Sequence, residues 1–143
     1  MRYYHLRYSD KLNGTTRGTS KFFMIQIGTK WYDDKGLLEH EKTHVKQWYT
    51  MTFLLSLMVV PFINVIPTEL LPIILLIIAC AHNGLYPISK RYRLYCELQA
   101  FASQINTNGH GIYHAAKSIT ENYNLDVSFD DVLIMLRKKT KVV

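Results

Sequence analysis

The chain has 143 residues, enough for one domain with a hydrophobic core and too few for two. Its net charge of +6, from 17 Lys and Arg against 11 Asp and Glu, favours anionic partners. No zinc-finger spacing, arginine-rich run or RNA-binding aromatic signature accompanies that charge, so nucleic acid is not expected as a partner, and two cysteines, Cys80 and Cys96, one of them inside an apolar run, do not indicate a disulfide framework and fit a reducing compartment.

Residues 1–21 are polar, basic and rich in Gly, Thr and Tyr, without the apolar h-region of a cleaved signal. They read as a basic arm in which Asn13-Gly14 closes a turn or hairpin. Phe22 to Ile27, ending at Gly28, has the length and aromatic content of a strand. Asp33-Asp34 then supplies an N-cap for a helix.

That helix carries His40-Glu41-Lys42-Thr43-His44, an HExxH motif. Lys35, Glu39, Lys42 and Lys46 recur at spacings of four, three and four and form a solvated stripe. His40 and His44 lie about 100° and 140° round from Glu39, on the inward half beside Leu37, Val45 and Trp48. Buried imidazoles need partners, and zinc would satisfy them with two Zn–N bonds of about 2.0–2.1 Å. Glu41 is then placed to deprotonate a metal-activated water, and a third protein ligand must come from elsewhere. The competing reading is an ordinary helix whose histidines are hydrogen-bonded in the core and whose Glu41 is a surface acid.

Trp48 to Thr68 is a run of 21 uncharged residues, and after Glu69 come 20 more, Leu70 to Ser89. Each is long enough to cross a bilayer, and Lys46 before the first and Lys90, Arg91 and Arg93 after the second make both flanks positive. This reads as a hairpin with both ends in the cytoplasm. Pro61, Pro67, Pro72 and Pro87 interrupt it, so the alternative is a pair of buried or interface-facing helices in a soluble cytoplasmic domain. Either way residues 51–89 are the expected contact with a membrane or partner protein. Further on, Tyr92 to Gln104 is expected to be a helix with Arg93, Glu97, Ala100, Phe101 and Gln104 on one face. A short helix from His110 to Asn122 follows, then one from Phe129 to Lys139 started by a capping box of Ser128 and Asp131.

Glu97 lies 53 residues after His44 and is followed one turn later by Ala100. With HExxH, this Glu-x-x-Ala resembles the gluzincins, zinc peptidases in which a glutamate from a second helix completes the site. The order HExxH, apolar hairpin, Glu-x-x-Ala further resembles membrane metallopeptidases related to the CAAX prenyl endopeptidases and heat-shock quality-control proteases, and small phage-encoded and bacterial HExxH proteins. The resemblance covers about residues 22 to 105. It implies His40, His44 and Glu97 as ligands of one zinc ion, Glu41 as general base, and a peptide or protein as substrate. Tyr or His serves as oxyanion donor in that family, which makes His110, Tyr113, His114 and Tyr95 candidates. Phe101 departs from the pattern, because many membrane members place there an aspartate that orients a histidine ligand.

The expected fold is therefore α+β and mostly helical, a minimal zincin-like core in a single domain. Residues 1–21 form the arm, 22–50 a strand and the HExxH helix, 51–89 the apolar hairpin and 90–143 the helical part with the third ligand. Glu97 has another reading as the partner of Arg93 one turn earlier, Cys96 reads as a buried thiol, and His110 with His114 as ordinary helix residues. The expected activity is peptide hydrolysis, with the substrate strand lying along the Phe22 to Ile27 edge. Two other classes compete: a non-catalytic zinc-stabilised membrane or virion component, and a metal-free basic hairpin protein acting by interaction.

Overall fold

Ile25 and Ile27, both 1% exposed, point to the same side of a strand and seat it on the first helix, and the rest of the sheet is built around that strand. The computed structural model describes residues 3–12, 16–108 and 111–140. In it β1 (His5–Ser9), β2 (Gly18–Lys21) and β3 (Met24–Gly28) form a sheet of order β1-β3-β2, with β1 parallel and β2 antiparallel to β3. The segment read as an arm thus supplies two strands, because its alternation is too polar to announce them while backbone pairing to β3 requires no apolar side chain. Asn13-Gly14 lies outside the described residues. The actual hairpin turn is Phe22-Phe23, between paired Lys21 and Met24, with Phe22 at a φ of 55°. A bulky residue in that region is strained, and contact of its ring with Trp48 at 5.8 Å accompanies the conformation.

Helix α1 (Lys35–Val59) starts where Asp34 accepts a hydrogen bond from the Leu37 amide, as the acidic pair predicts. Its first half packs on the sheet. Its second half leaves the domain, turns through short 3₁₀ segments at Val60–Phe62 and Thr68–Leu70, and is followed by α2 (Leu71–Ile88). The two form the expected apolar hairpin, but it is not buried: Phe53, Met58, Leu76 and Ile77 are all more than 60% exposed, and only Ile78 and His82 of α2 are buried. Among the described residues, only Thr68–Ile88 forms a helix long and apolar enough to cross a membrane.

Helix α3 (Lys90–Asn108) begins immediately after Ser89 and runs back along α1. Arg93 closes the corner by donating to the carbonyls of Tyr86, Pro87 and Tyr123, so the carbonyls at the end of α2 meet a cation. Helices α4 (Ile112–Asn122) and α5 (Phe129–Lys139) pack on α3, with Ser128 capping α5 as its sequence predicts. Leu98, Ile105, Ala116, Ile119, Val132 and Leu136 form the core of this part. The fold is mostly helical with one small mixed sheet. Replacing Ile119, which is fully buried, by Ala is expected to cost about 2–5 kcal/mol in denaturant unfolding, while Ile134→Ala, at a half-exposed position, should cost under about 0.5 kcal/mol.

Candidate metal centre

Helix α1 turns His40, Glu41 and His44 toward α3, and α3 turns Glu97 toward them. His40 Nε2 and His44 Nε2 are 3.2 Å apart. The Glu97 carboxylate completes a triangle, with Oε2 3.5 Å from His40 Nε2 and Oε1 3.3 Å from His44 Nε2. The two short contacts to Glu97 use its two different oxygens, and one donor atom from each of the three residues lies within 4.8 Å of the others, close enough for a single ion to bind all three. Glu97 Oε2 is buried without a hydrogen-bond partner, an unsatisfied acceptor that an ion would satisfy. His40, His44 and Glu97 are therefore a group that can hold a metal ion. Glu97 is 1% exposed and does not use Arg93 as its partner, since the hydrogen bonds of that guanidinium go to backbone carbonyls.

The two histidines are supported differently. His44 Nδ1 donates to Gln47 Oε1 at 3.0 Å, and the Gln47 amide donates in turn to the Cys96 carbonyl and Gln99 Oε1. This fixes the tautomer that leaves Nε2 free for a metal. His40 Nδ1 is buried with no hydrogen-bond partner, and the ring is held instead by the edge-to-face Phe101 at 4.6 Å. The position where an acid was expected thus acts on His40, by packing rather than by a hydrogen bond. The Tyr86 hydroxyl donates to Glu97 Oε1, the same oxygen that faces His44 Nε2.

Without a metal, the cluster is an ion pair. Burial disfavours charge on His44, but the hydrogen bond and charge of Glu97 outweigh it, with help from Glu41, and raise its pKa to about 9. Burial likewise opposes charge on Glu97, and the two histidines overcome it and hold the carboxylate below its usual range. Cys96 is fully buried, and burial lifts its thiol to about 11, so it stays protonated beside the ligands.

A cleft of about 860 Å³ opens beside the triangle, with Gly18, His40, Glu41, Phe101, His114 and Tyr123 in its wall. Glu41 is 5% exposed and reaches this wall under the start of β2. A Cβ on Gly18 would stand 2.8 Å from Glu41 Oε1, so glycine is what lets the strand pass over the carboxylate. Of the oxyanion candidates, His114 lines the cleft. Tyr113 is exposed, stacks on Phe129 and accepts a hydrogen bond from Arg137, and Tyr95 is exposed and accepts from Gln99. His110 lies outside the described residues. Sequence reasoning missed Gln47, Tyr86, Tyr123 and Gly18. Gln47 had a usable signal, its place one turn beyond His44, and the others had none. Comparison with known families, curated proteins and solved structures finds no match.

Three outcomes are expected. The stability that protonated His44 gives the metal-free protein is full below about pH 6.5 and lost as pH rises through about 9, whereas that from ionised Glu97 is full above about 4.5 and lost in acid. Metal must displace the His44 proton, so zinc binding at pH 7 should release about one proton from this site, measured by calorimetry in buffers of different ionisation enthalpy. Gln47→Leu should weaken zinc binding about 10–100-fold in a competition titration with a chelator.

Proposed function

We propose that the chain is a zinc-dependent peptidase of the gluzincin type, with His40, His44 and Glu97 as metal ligands and Glu41 as general base. The observation that carries this reading is the ligand-sized triangle of donors on a cleft whose wall also holds a buried Glu41. Bound there, zinc supplies a Lewis acid that polarises a carbonyl and brings the pKa of water toward about 7. Glu41 takes the proton of the attacking water and returns it to the leaving amine. Tyr123 and His114, both in the cleft wall, are the better-placed hydrogen-bond donors for the carbonyl oxygen.

The substrate strand needs a different edge from the one the sequence pointed to. β3 is the central strand and has neighbours on both sides, so the segment from Phe22 to Ile27 offers no free edge. β2 does. Arg17 is bonded to Gly28 across the hairpin, and alternation along an antiparallel pair then turns the backbone groups of Gly18 and Ser20 outward. A peptide added along that edge passes Glu41 at Gly18.

One observation favours the second reading, a zinc-stabilised protein without turnover: His40 Nδ1 lacks the polar partner that fixes such a ligand. The variant Glu41→Gln separates the two readings. It should retain stoichiometric zinc and lose about 10²–10⁴-fold in cleavage of a peptide library, and cleavage at the wild-type rate would exclude the peptidase mechanism. Wild-type protein that unfolds on chelation and refolds with zinc, yet cleaves nothing, would establish the structural role. Gly18→Ala should also keep its zinc but lose about tenfold or more in turnover, because the new methyl displaces the Glu41 carboxylate.

A further inference from the structure

The hairpin exposes apolar side chains on both of its helices. Leu75, Leu76 and Ile77 are consecutive and each more than half exposed, and at about 100° per residue they sweep about 200° round α2. On α1 the exposed Phe53-Leu54 and Leu57-Met58 cover about 140°. A single protein face covers one stripe of a helix, whereas hydrocarbon covers its whole circumference. Between Lys46 and Lys90 the sole charged residue is Glu69, at the tip.

Where the hairpin leaves the domain, aromatic rings gather around it. Trp48 donates to the Ala79 carbonyl across the two helices and is met by Phe22 and Phe23 from the β2–β3 turn, while Tyr49 donates to the Tyr3 carbonyl. Tyr3, Phe23 and Tyr49 are each 40–48% exposed, and the exposed Lys21 and Lys46 stand among them. Amphipathic rings with lysines at the foot of an apolar projection are the composition of a membrane–water boundary.

We propose that a lipid bilayer covers the hairpin down to this aromatic collar, and that the hairpin enters one leaflet without crossing. Beyond the collar, α1 runs from Tyr49 to Val59, about 15 Å, and the 3₁₀ turn adds about 6 Å. α2 offers about 18 Å from Ala79 to Thr68 on the same measures. Both fall short of a hydrocarbon core of about 30 Å. The rest of α2 is held by the domain through buried His82 and through Tyr86 on Glu97, so it is not free to slide outward. Glu69 stands at the tip, where its carboxylate accepts a hydrogen bond from the Thr68 hydroxyl. The sheet then lies on the headgroups by its Phe22-Phe23 turn, and the ligand triangle sits one turn of α1 below them. None of this depends on which chemistry the metal centre performs.

The test uses the full chain with Trp31→Phe and Cys80→Ser, mixed with phosphatidylcholine vesicles containing phosphatidylglycerol. The protein should float with the vesicles, and Trp48 emission should be quenched more by lipids brominated near the headgroup than near the chain end. A cysteine introduced at Val65 should react neither with impermeant maleimide outside nor with the same reagent trapped in the lumen. Phe23→Asp should lower vesicle partitioning about tenfold, and Phe129→Asp, an exposed aromatic away from the collar, less than twofold. Protein that stays in the aqueous fraction as a discrete oligomer would overturn the proposal by making a second copy the cover. Labelling of Val65→Cys from the lumen would overturn it by showing that the hairpin crosses.

Discussion

A carboxylate removed from water between two imidazoles sets the terms for the rest of this structure. Glu97 is 1% exposed and sits where α1 and α3 pack most extensively, so the two helices can approach only if that charge is balanced. His40 and His44 balance it, by proton or by metal. The same pair that makes the helix contact possible therefore makes the donor triangle, and the register between α1 and α3 is fixed by chemistry rather than by apolar fit alone. Cys96, Ala100 and Val45, all fully buried, supply the small surfaces that let the helices come this close.

The support around the triangle is lopsided. His44 is tied through Gln47 to the backbone of α3 and to Gln99, and Glu97 receives the Tyr86 hydroxyl. Away from the cluster, His40 has only the edge of Phe101, and its Nδ1 has no partner. A ring held by packing keeps its plane, but its Nδ1 has no polar partner to fix its orientation as Gln47 does for His44. Glu41, which follows it in sequence, is instead held from above by the start of β2.

What the sequence displayed and what it concealed divide along physical lines. The motif, the glutamate two helices later, Asp34 and Ser128 were all readable because helical spacing and capping are local properties of the chain. The strands at His5–Ser9 and Gly18–Lys21 were not, because their pairing depends on a third segment that lies elsewhere in the sequence. For the same reason β3 looked like an edge, since position within a sheet is decided by what joins it. Tyr86 was hidden inside an apolar run, and Tyr123 at the end of a short helix. Each approaches the site only because Arg93 and the corner between α2 and α3 bring those chain ends together. The exposure of the hairpin was also unreadable, because apolar composition is the same whether a helix is covered by its own domain or by something else.

Arg93 gives that corner a significance beyond closing a turn. One guanidinium holds the backbone carbonyls of Tyr86 and Pro87, at the end of α2, and of Tyr123, at the end of α4. Two elements that share few contacts are thereby hinged on the same planar cation, and the cation rides on the helix that carries Glu97. Tyr86 at the end of the hairpin touches the Glu97 carboxylate, and Tyr123 lines the cleft. The seat of the hairpin and one wall of the cleft are thus built on the same residue of α3.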